Sequence, residues 1–199
     1  MERVDEILRF WFGDSPDTWR MPEDRLSMWF GGEPEVDEAI RRRFESTVEE
    51  ALGGGLDGWK ETPRGRLALV LLLDQFTRNV YRGTPEAYAG DPLALPLALE
   101  SLDEGIDREL RPVARPFLYL PLEHAEDRQV QAASVAAFRR LADEAPEEVR
   151  AAYEVFLDYA IRHQVIVDRF GRFPHRNAIL GRQTTPEEAE FLKQPGSSF

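Results

Sequence analysis

Between residues 160 and 182 the sequence places five arginines, Arg162, Arg169, Arg172, Arg176 and Arg182, against a single acid, Asp168. The chain as a whole carries a formal charge of -12, so this stretch opposes its surroundings. Guanidinium forks bind phosphate and carboxylate bidentately. Within the stretch, Gly171 and Pro174 bracket the start of an expected short helix over 174–180. His175, Arg176 and Asn177 would then sit near its first turn, where free N–H groups and the helix dipole favour an anion. The competing expectation is a set of Arg–Glu bridges to the acidic remainder.

Three histidines, His124, His163 and His175, all fall in the C-terminal part of the chain. His124 lies in Glu123-His124-Ala125-Glu126-Asp127 and is expected to open a helix over 122–143, where the dipole depresses an imidazole pKa. A neutral imidazole beside carboxylates suits general acid/base work, with Glu123 or Asp168 as the orienting partner of His124 or His175. His163 follows Tyr159 by four and precedes Ile166 and Phe170, so it reads first as a core histidine and second as a pocket residue.

A further polar cluster breaks an otherwise apolar helix. After the run Leu67 to Leu73 come Asp74, Gln75, Arg78, Asn79 and Arg82, with Gln75, Arg78 and Arg82 on one face. Buried polar groups must find partners, so these either build an internal network or line a cavity. Asp74 or Asp91 is expected to pair with arginines of the later stretch.

Several chemistries are disfavoured. With no cysteine there is no disulfide framework, thiolate zinc site, iron–sulfur cluster or cysteine nucleophile. No His-x-x-x-His, Glu-x-x-His or calcium loop occurs, so neither metal nor cofactor is expected. Gly53-Gly54-Gly55 lacks the Lys-Ser/Thr of a phosphate loop, and no serine sits in a Gly-x-Ser-x-Gly elbow. The acidic balance disfavours nucleic acid, whose binding rests on neutralised phosphates. The longest apolar run is seven residues, against roughly 20 for a membrane span, and no leader pattern opens the chain. The expectation is a soluble, cytoplasmic protein.

The elements that must hold these residues read as helices throughout. Segments are expected near 2–12, 22–30, 34–52, 63–82, 92–104, 112–119, 122–143, 146–170, 174–180 and 186–193. Thr62-Pro63, Thr84-Pro85, Asp91-Pro92 and Thr185-Pro186 pair a capping side chain with a proline suited to the first helical turn, and Glu188 completes a capping box with Thr185. Gly13, Gly53, Gly83, Gly105 and Gly171 are the expected stops. Val36, Ile40, Phe44, Val48 and Leu52 repeat every four residues, and Val149, Ala152, Tyr153, Phe156, Ala160, Val167 and Phe170 form a second stripe. At 199 residues without a linker-like stretch, residues 1–199 read as one domain.

Three motifs carry a resemblance. They are Leu73-Asp74-Gln75-Phe76-Thr77-Arg78-Asn79 with Arg82-Gly83, Tyr119-Leu120-Pro121 leading to Glu123-His124, and Phe170-Gly171-Arg172-Phe173-Pro174-His175-Arg176-Asn177 with Leu180-Gly181-Arg182. Together with Thr185-Pro186-Glu187-Glu188 they resemble the bacterial family catalogued as domain of unknown function 924. That resemblance implies an all-α antiparallel bundle or tetratricopeptide-like superhelix of about eight to ten helices, and no activity. Thr77 stands where the resemblance implies proline, so a helix kink is expected to be lost.

The combined reading is a pocket for a small anionic molecule, bearing phosphate or carboxylate. It would be lined by Asp74, Gln75, Arg78, Asn79, Arg82, His163, Arg169, Arg172, Arg176 and Asn177, and an enzymatic version would use His175 or His124 as general acid/base. The alternative is a non-catalytic helical-repeat module offering a groove, with Trp11, Trp19, Trp29 or Trp59 exposed, to a protein partner or a second copy of itself.

Overall fold

Two helices buried from every side organise the rest of the chain. A computed structural model describes residues 2–14 and 18–198, and among these every regular element is helical. The α-helices are α1 (Glu2–Phe12), α2 (Glu23–Phe30), α3 (Pro34–Leu52), α4 (Pro63–Val70), α5 (Thr77–Val80), α6 (Asp91–Asp103), α7 (Arg115–Glu123), α8 (Arg128–Glu144), α9 (Glu147–Phe170) and α10 (Pro186–Phe191). Short 3-10 turns join several of them, including Pro85–Tyr88 and Pro174–Arg176. Among the described residues no helix is long and apolar enough to cross a membrane.

The first central helix is α4, which runs without a break through a π-helical segment, Leu71–Phe76, into α5. Leu67 to Leu73 are all buried, as their unbroken apolar run requires. The second is α7, in which Phe117, Leu118, Tyr119, Leu120 and Leu122 are buried. Around them an aromatic core joins Trp11, Phe12, Trp29, Phe44, Phe76 and Phe117 through edge-on and tilted contacts. The Trp29 indole N–H donates to the Trp11 carbonyl at 3.0 Å, which satisfies one polar atom in that core.

Local chemistry explains the boundaries. Thr62 accepts from the Gly65 amide, and Thr185 with Glu188 forms the expected capping box. Ile40, Phe44 and Val48 are buried on α3, and Tyr153, Ala160 and Val167 on α9, although Ala152 faces solvent. Gly13, Gly83, Gly105 and Gly171 take left-handed conformations, whereas at the end of α3 that role falls to Gly54 and Gly53 stays right-handed.

Four expectations change. Thr84 opens only the 3-10 turn Pro85–Tyr88 and makes no cap bond. Pro121 does not end a helix: α7 continues through it, held by burial, and α8 starts later, where the Asp127 carboxylate accepts from the Gln129 and Val130 amides. Instead of opening a helix, His124 therefore caps the C-terminus of α7, where the helix dipole does not lower an imidazole pKa. The segment expected as a helix over 174–180 forms a 3-10 turn whose Arg176 and Asn177 amides return to Phe173 and Pro174 carbonyls, leaving no N-terminal anion cradle there.

Thr77, where the loss of a kink is expected, closes a π-helical segment. The Thr77 amide bonds back five residues to Leu72, closing the π-turn, and its hydroxyl donates to the Leu73 carbonyl at 2.6 Å. Gly90 lies against the same carbonyl, and a Cβ there would stand 2.0 Å from the Leu73 oxygen. Only glycine lets the start of α6 approach so closely. Lastly, Trp11 and Trp29 are buried, and Trp19 and Trp59 are partly buried against the core, so none of the four stands among the exposed large apolar side chains.

Candidate functional site

The π-turn and the end of α7 bring Asp74 and His124 together. Asp74 is wholly buried, and its carboxylate receives His124 Nδ1 at 2.7 Å, Gln75 Nε2 at 2.6 Å and Arg78 Nη1 at 3.1 Å. Burial pushes the Asp74 carboxyl up, but the Arg78 charge and the hydrogen bonds from His124 and Gln75 outweigh it and hold the group well below the usual carboxylate range. An ionised Asp74 fixes the His124 tautomer, with the proton on Nδ1. Burial keeps that imidazole neutral despite the pull of Asp74. His124 Nε2 has no hydrogen-bond partner among the described residues, and it is not sealed from solvent.

Arg78 faces a second carboxylate. Asp91, in the first turn of α6, accepts from its Nη1 at 2.8 Å and Nη2 at 3.1 Å, a bidentate pair that the close approach at Gly90 makes possible. Arg176 enters from the C-terminal segment, buried to 6 % exposure. It donates to the His124 carbonyl at 3.0 Å and lies 3.7 Å from Asp91. Its guanidinium is held between the Tyr88 ring at 4.9 Å and the Phe173 ring at 4.5 Å, and its Nε lacks a partner. Burial and the neighbouring Arg78 both lower its pKa.

Behind this centre sits another acid–imidazole pair. His163 Nδ1 lies 2.8 Å from the Tyr159 carbonyl and 3.2 Å from Glu123 Oε1, and its ring centroid is 6.2 Å from that of His124. Glu123 is 4 % exposed and its Oε2 has no partner. Burial, with the Asp74 charge second, pushes the Glu123 carboxyl up to about 8, so it is mostly protonated at neutral pH. Burial also brings His163 down to about 3 and His175 to about 4, the latter helped by Arg176. His124, His163 and His175 are thus held neutral and Glu123 mostly protonated, while Asp74 is held ionised.

Other candidates lie apart from this centre. Asn79 and Arg82 both bind Asp37 of α3, Arg82 at 2.5 and 2.8 Å. Arg169 pairs with Glu187, and Arg172 grips Glu188 with two bonds of 2.7 and 2.9 Å. Asn177 also reaches Glu188, at 3.2 Å, and Asp168 is exposed on α9. The partner of His124 is Asp74, not Glu123 or Asp168. Tyr88, Glu126 and the full role of Asp91 escaped sequence reasoning. Asp91-Pro92 signals a helix start and says nothing of a guanidinium arriving from Arg78.

A separate depression of about 540 Å³ runs along α8, past Val135, Arg139, Arg140 and Asp143, and does not touch this centre. Its Arg140 is committed to buried Asp107 at 2.6 Å.

The family model for a bacterial protein of unknown function (DUF924) matches residues 7–196. The chain belongs to the DUF924 family. A solved structure, that of the protein of unknown function ATU0120 from Agrobacterium tumefaciens, is 38% identical and superposes with a TM-score of 0.81, covering 96% of this chain and 97% of that one. No curated protein matches. The three motifs that carried the resemblance to DUF924 supply this site: the first gives Asp74, Gln75 and Arg78, the second Glu123 and His124, the third Phe173, His175 and Arg176. Residues far apart in the chain meet at one polar centre.

Proposed function

We propose that this chain binds a small anionic molecule at the His124–Asp74 centre and acts on it with His124 as general base. The observation carrying this reading is the divided commitment of His124, with Nδ1 tied to a buried, ionised carboxylate and Nε2 left without a partner. That arrangement fixes the ring and leaves a lone pair for a substrate proton. Arg176 supplies positive charge beside it. Arg78 supplies less, because Asp74 and Asp91 already neutralise it. Arg82, Arg169 and Arg172 are each bound to a carboxylate and have no place in this smaller site.

A second reading, a docking surface for a protein, draws on exposed Phe30, Val155, Tyr159 and Val165. It accounts for none of the buried polar geometry, so the ligand reading is preferred.

The test is thermal unfolding against inorganic phosphate, nucleotides and small carboxylates, repeated with His124→Ala, Arg176→Gln and Arg172→Ala. Ligand at about 100 times its dissociation constant adds roughly 2.7 kcal/mol, several degrees for a chain of this length. The expected result is a shift with one anion class, abolished in Arg176→Gln and kept in Arg172→Ala. A shift unaffected by Arg176→Gln, or none with any anion, overturns the proposal.

A further inference from the structure

The C-terminal segment closes over the deep side of this site, and it is attached differently from the rest of the molecule. Its apolar contacts form a small cluster of Ile166, Val167 and Phe173 with Phe170 and Phe191, separate from the main core. Within the segment the wiring is dense. Glu188 gathers Arg172, Asn177 and the Thr185 amide, while Arg182 Nε donates to Asn177 and its Nη2 to the Phe173 carbonyl. These bonds make it a unit of its own.

Toward the body the segment is held by an apolar seam beside Gly171, Phe173 and Phe191 against Ile166, Val167 and Phe170 of α9, and farther from Gly171 by polar contacts. The Glu126 carboxylate, between α7 and α8, accepts the Arg182 fork at 2.5 and 2.9 Å and the Phe173 amide at 2.7 Å. Arg176 adds its bond to the His124 carbonyl, its approach to Asp91 at 3.7 Å and its place over the Tyr88 ring, and Arg169 adds an exposed pair with Glu187. Beneath the segment, Phe173 stands edge-on to His163 at 5.4 Å. The chain enters it through Gly171, at φ 70°.

We infer that residues 171–191 form a hinged lid over the His124 site, which swings as one piece about Gly171 when Glu126 releases Arg182 and the Phe173 amide and Arg176 leaves the His124 carbonyl and Asp91. Opening uncovers His163 and Arg176 and admits the anionic molecule. The inference rests on the ligand reading for its purpose, but its test needs no ligand.

The experiment is hydrogen exchange followed by mass spectrometry on the full chain, comparing wild type, Glu126→Gln and, as a control, Arg82→Gln, whose partner Asp37 belongs to α3. Carbethoxylation of His163 by diethyl pyrocarbonate is measured in parallel. Wild-type amides in 172–191 are expected to exchange faster than those of α7, through local opening. Glu126→Gln, which loses charge-assisted bonds, should speed them about tenfold or more and raise His163 modification, leaving α7 unchanged. Arg82→Gln should alter neither. A salt series on wild type gives the same reading without mutation, because screening weakens the Glu126 latch before it touches the apolar core. Lid amides that exchange only at the rate of α7, in wild type and in Glu126→Gln alike, overturn the inference. So does a Glu126→Gln effect spread equally over α7. An opening lid with no anion bound in the thermal panel would sink the ligand reading alone, and binding without lid exchange would sink this one alone.

Discussion

Replacing Asp74 by Asn changes one charge at constant volume, at a fully buried position where four groups meet. His124 Nδ1, Gln75 Nε2 and Arg78 all address its two oxygens. Removing one partner of a buried ion pair costs about 3–5 kcal/mol. Arg78 keeps its bidentate bond to Asp91, and Gln75 can turn its own oxygen toward the new amide, so the lower end applies, about 3 kcal/mol. For a chain of this length that corresponds to about 6–12 °C in Tm. Because the Asp74 pKa is depressed on folding, its contribution is present at all pH values above the unfolded pKa and fades only as pH falls through the folded value. The deficit of the variant should therefore be full at pH 5 and narrow toward pH 8, where loss of the Asp74 charge relieves Glu123, measured by calorimetry. A deficit under about 2 °C at pH 5, or one that vanishes there, would refute the claim that an ionised Asp74 anchors this centre.

Glu123 predicts the opposite pH behaviour. Its folded pKa is raised to about 8 from 4.5, so the folded state holds a proton that the unfolded state loses, and stability falls as pH climbs between those values. Glu123→Gln, neutral throughout, should match wild type in urea unfolding at pH 4 and exceed it at pH 8; equal midpoints at both would contradict the assignment. Glu188 is held down to about 2, chiefly by hydrogen bonds from Arg172, so its contribution is present above 4.5 and lost toward pH 2. The Tm gap between wild type and Glu188→Gln should shrink on acidification, and a gap that widens would count against it. Gly90→Ala puts a Cβ at 2.0 Å from a backbone oxygen that no rotamer can move, which should cost about 1–3 kcal/mol or more in a urea titration and loosen Asp91 from Arg78. A neutral Gly90→Ala would mean the α6 start is not held by that contact.

Legibility followed the range of the interactions. Thr62, Thr185 and Glu188 act within one turn, and their caps are plain in the sequence. The Ile40, Phe44 and Val48 face is equally plain, since periodicity alone buries it. Pro121 misleads because a proline in a helix surrounded by core costs less than the packing it preserves, and that error moved His124 to the wrong end of a helix. The π-turn leaves no local mark beyond a polar residue after seven apolar ones, yet it determines where Asp74 sits. The arginine-rich stretch was visible as charge, but its partners were not. Glu126 lies 56 residues from Arg182, and nothing in the spacing says that it, not a ligand, fills that fork.

The most direct test of the account is long-range proton–nitrogen NMR of the histidine side chains at pH 7, assigned with His124→Gln, before and after adding the anion that raises Tm. A ring protonated at Nδ1 and bare at Nε2, whose Nε2 resonance moves on titration and whose tautomer is lost in Asp74→Asn, is the predicted result. A His124 protonated at Nε2, or one indifferent to an anion that stabilises the protein, would contradict the proposed site.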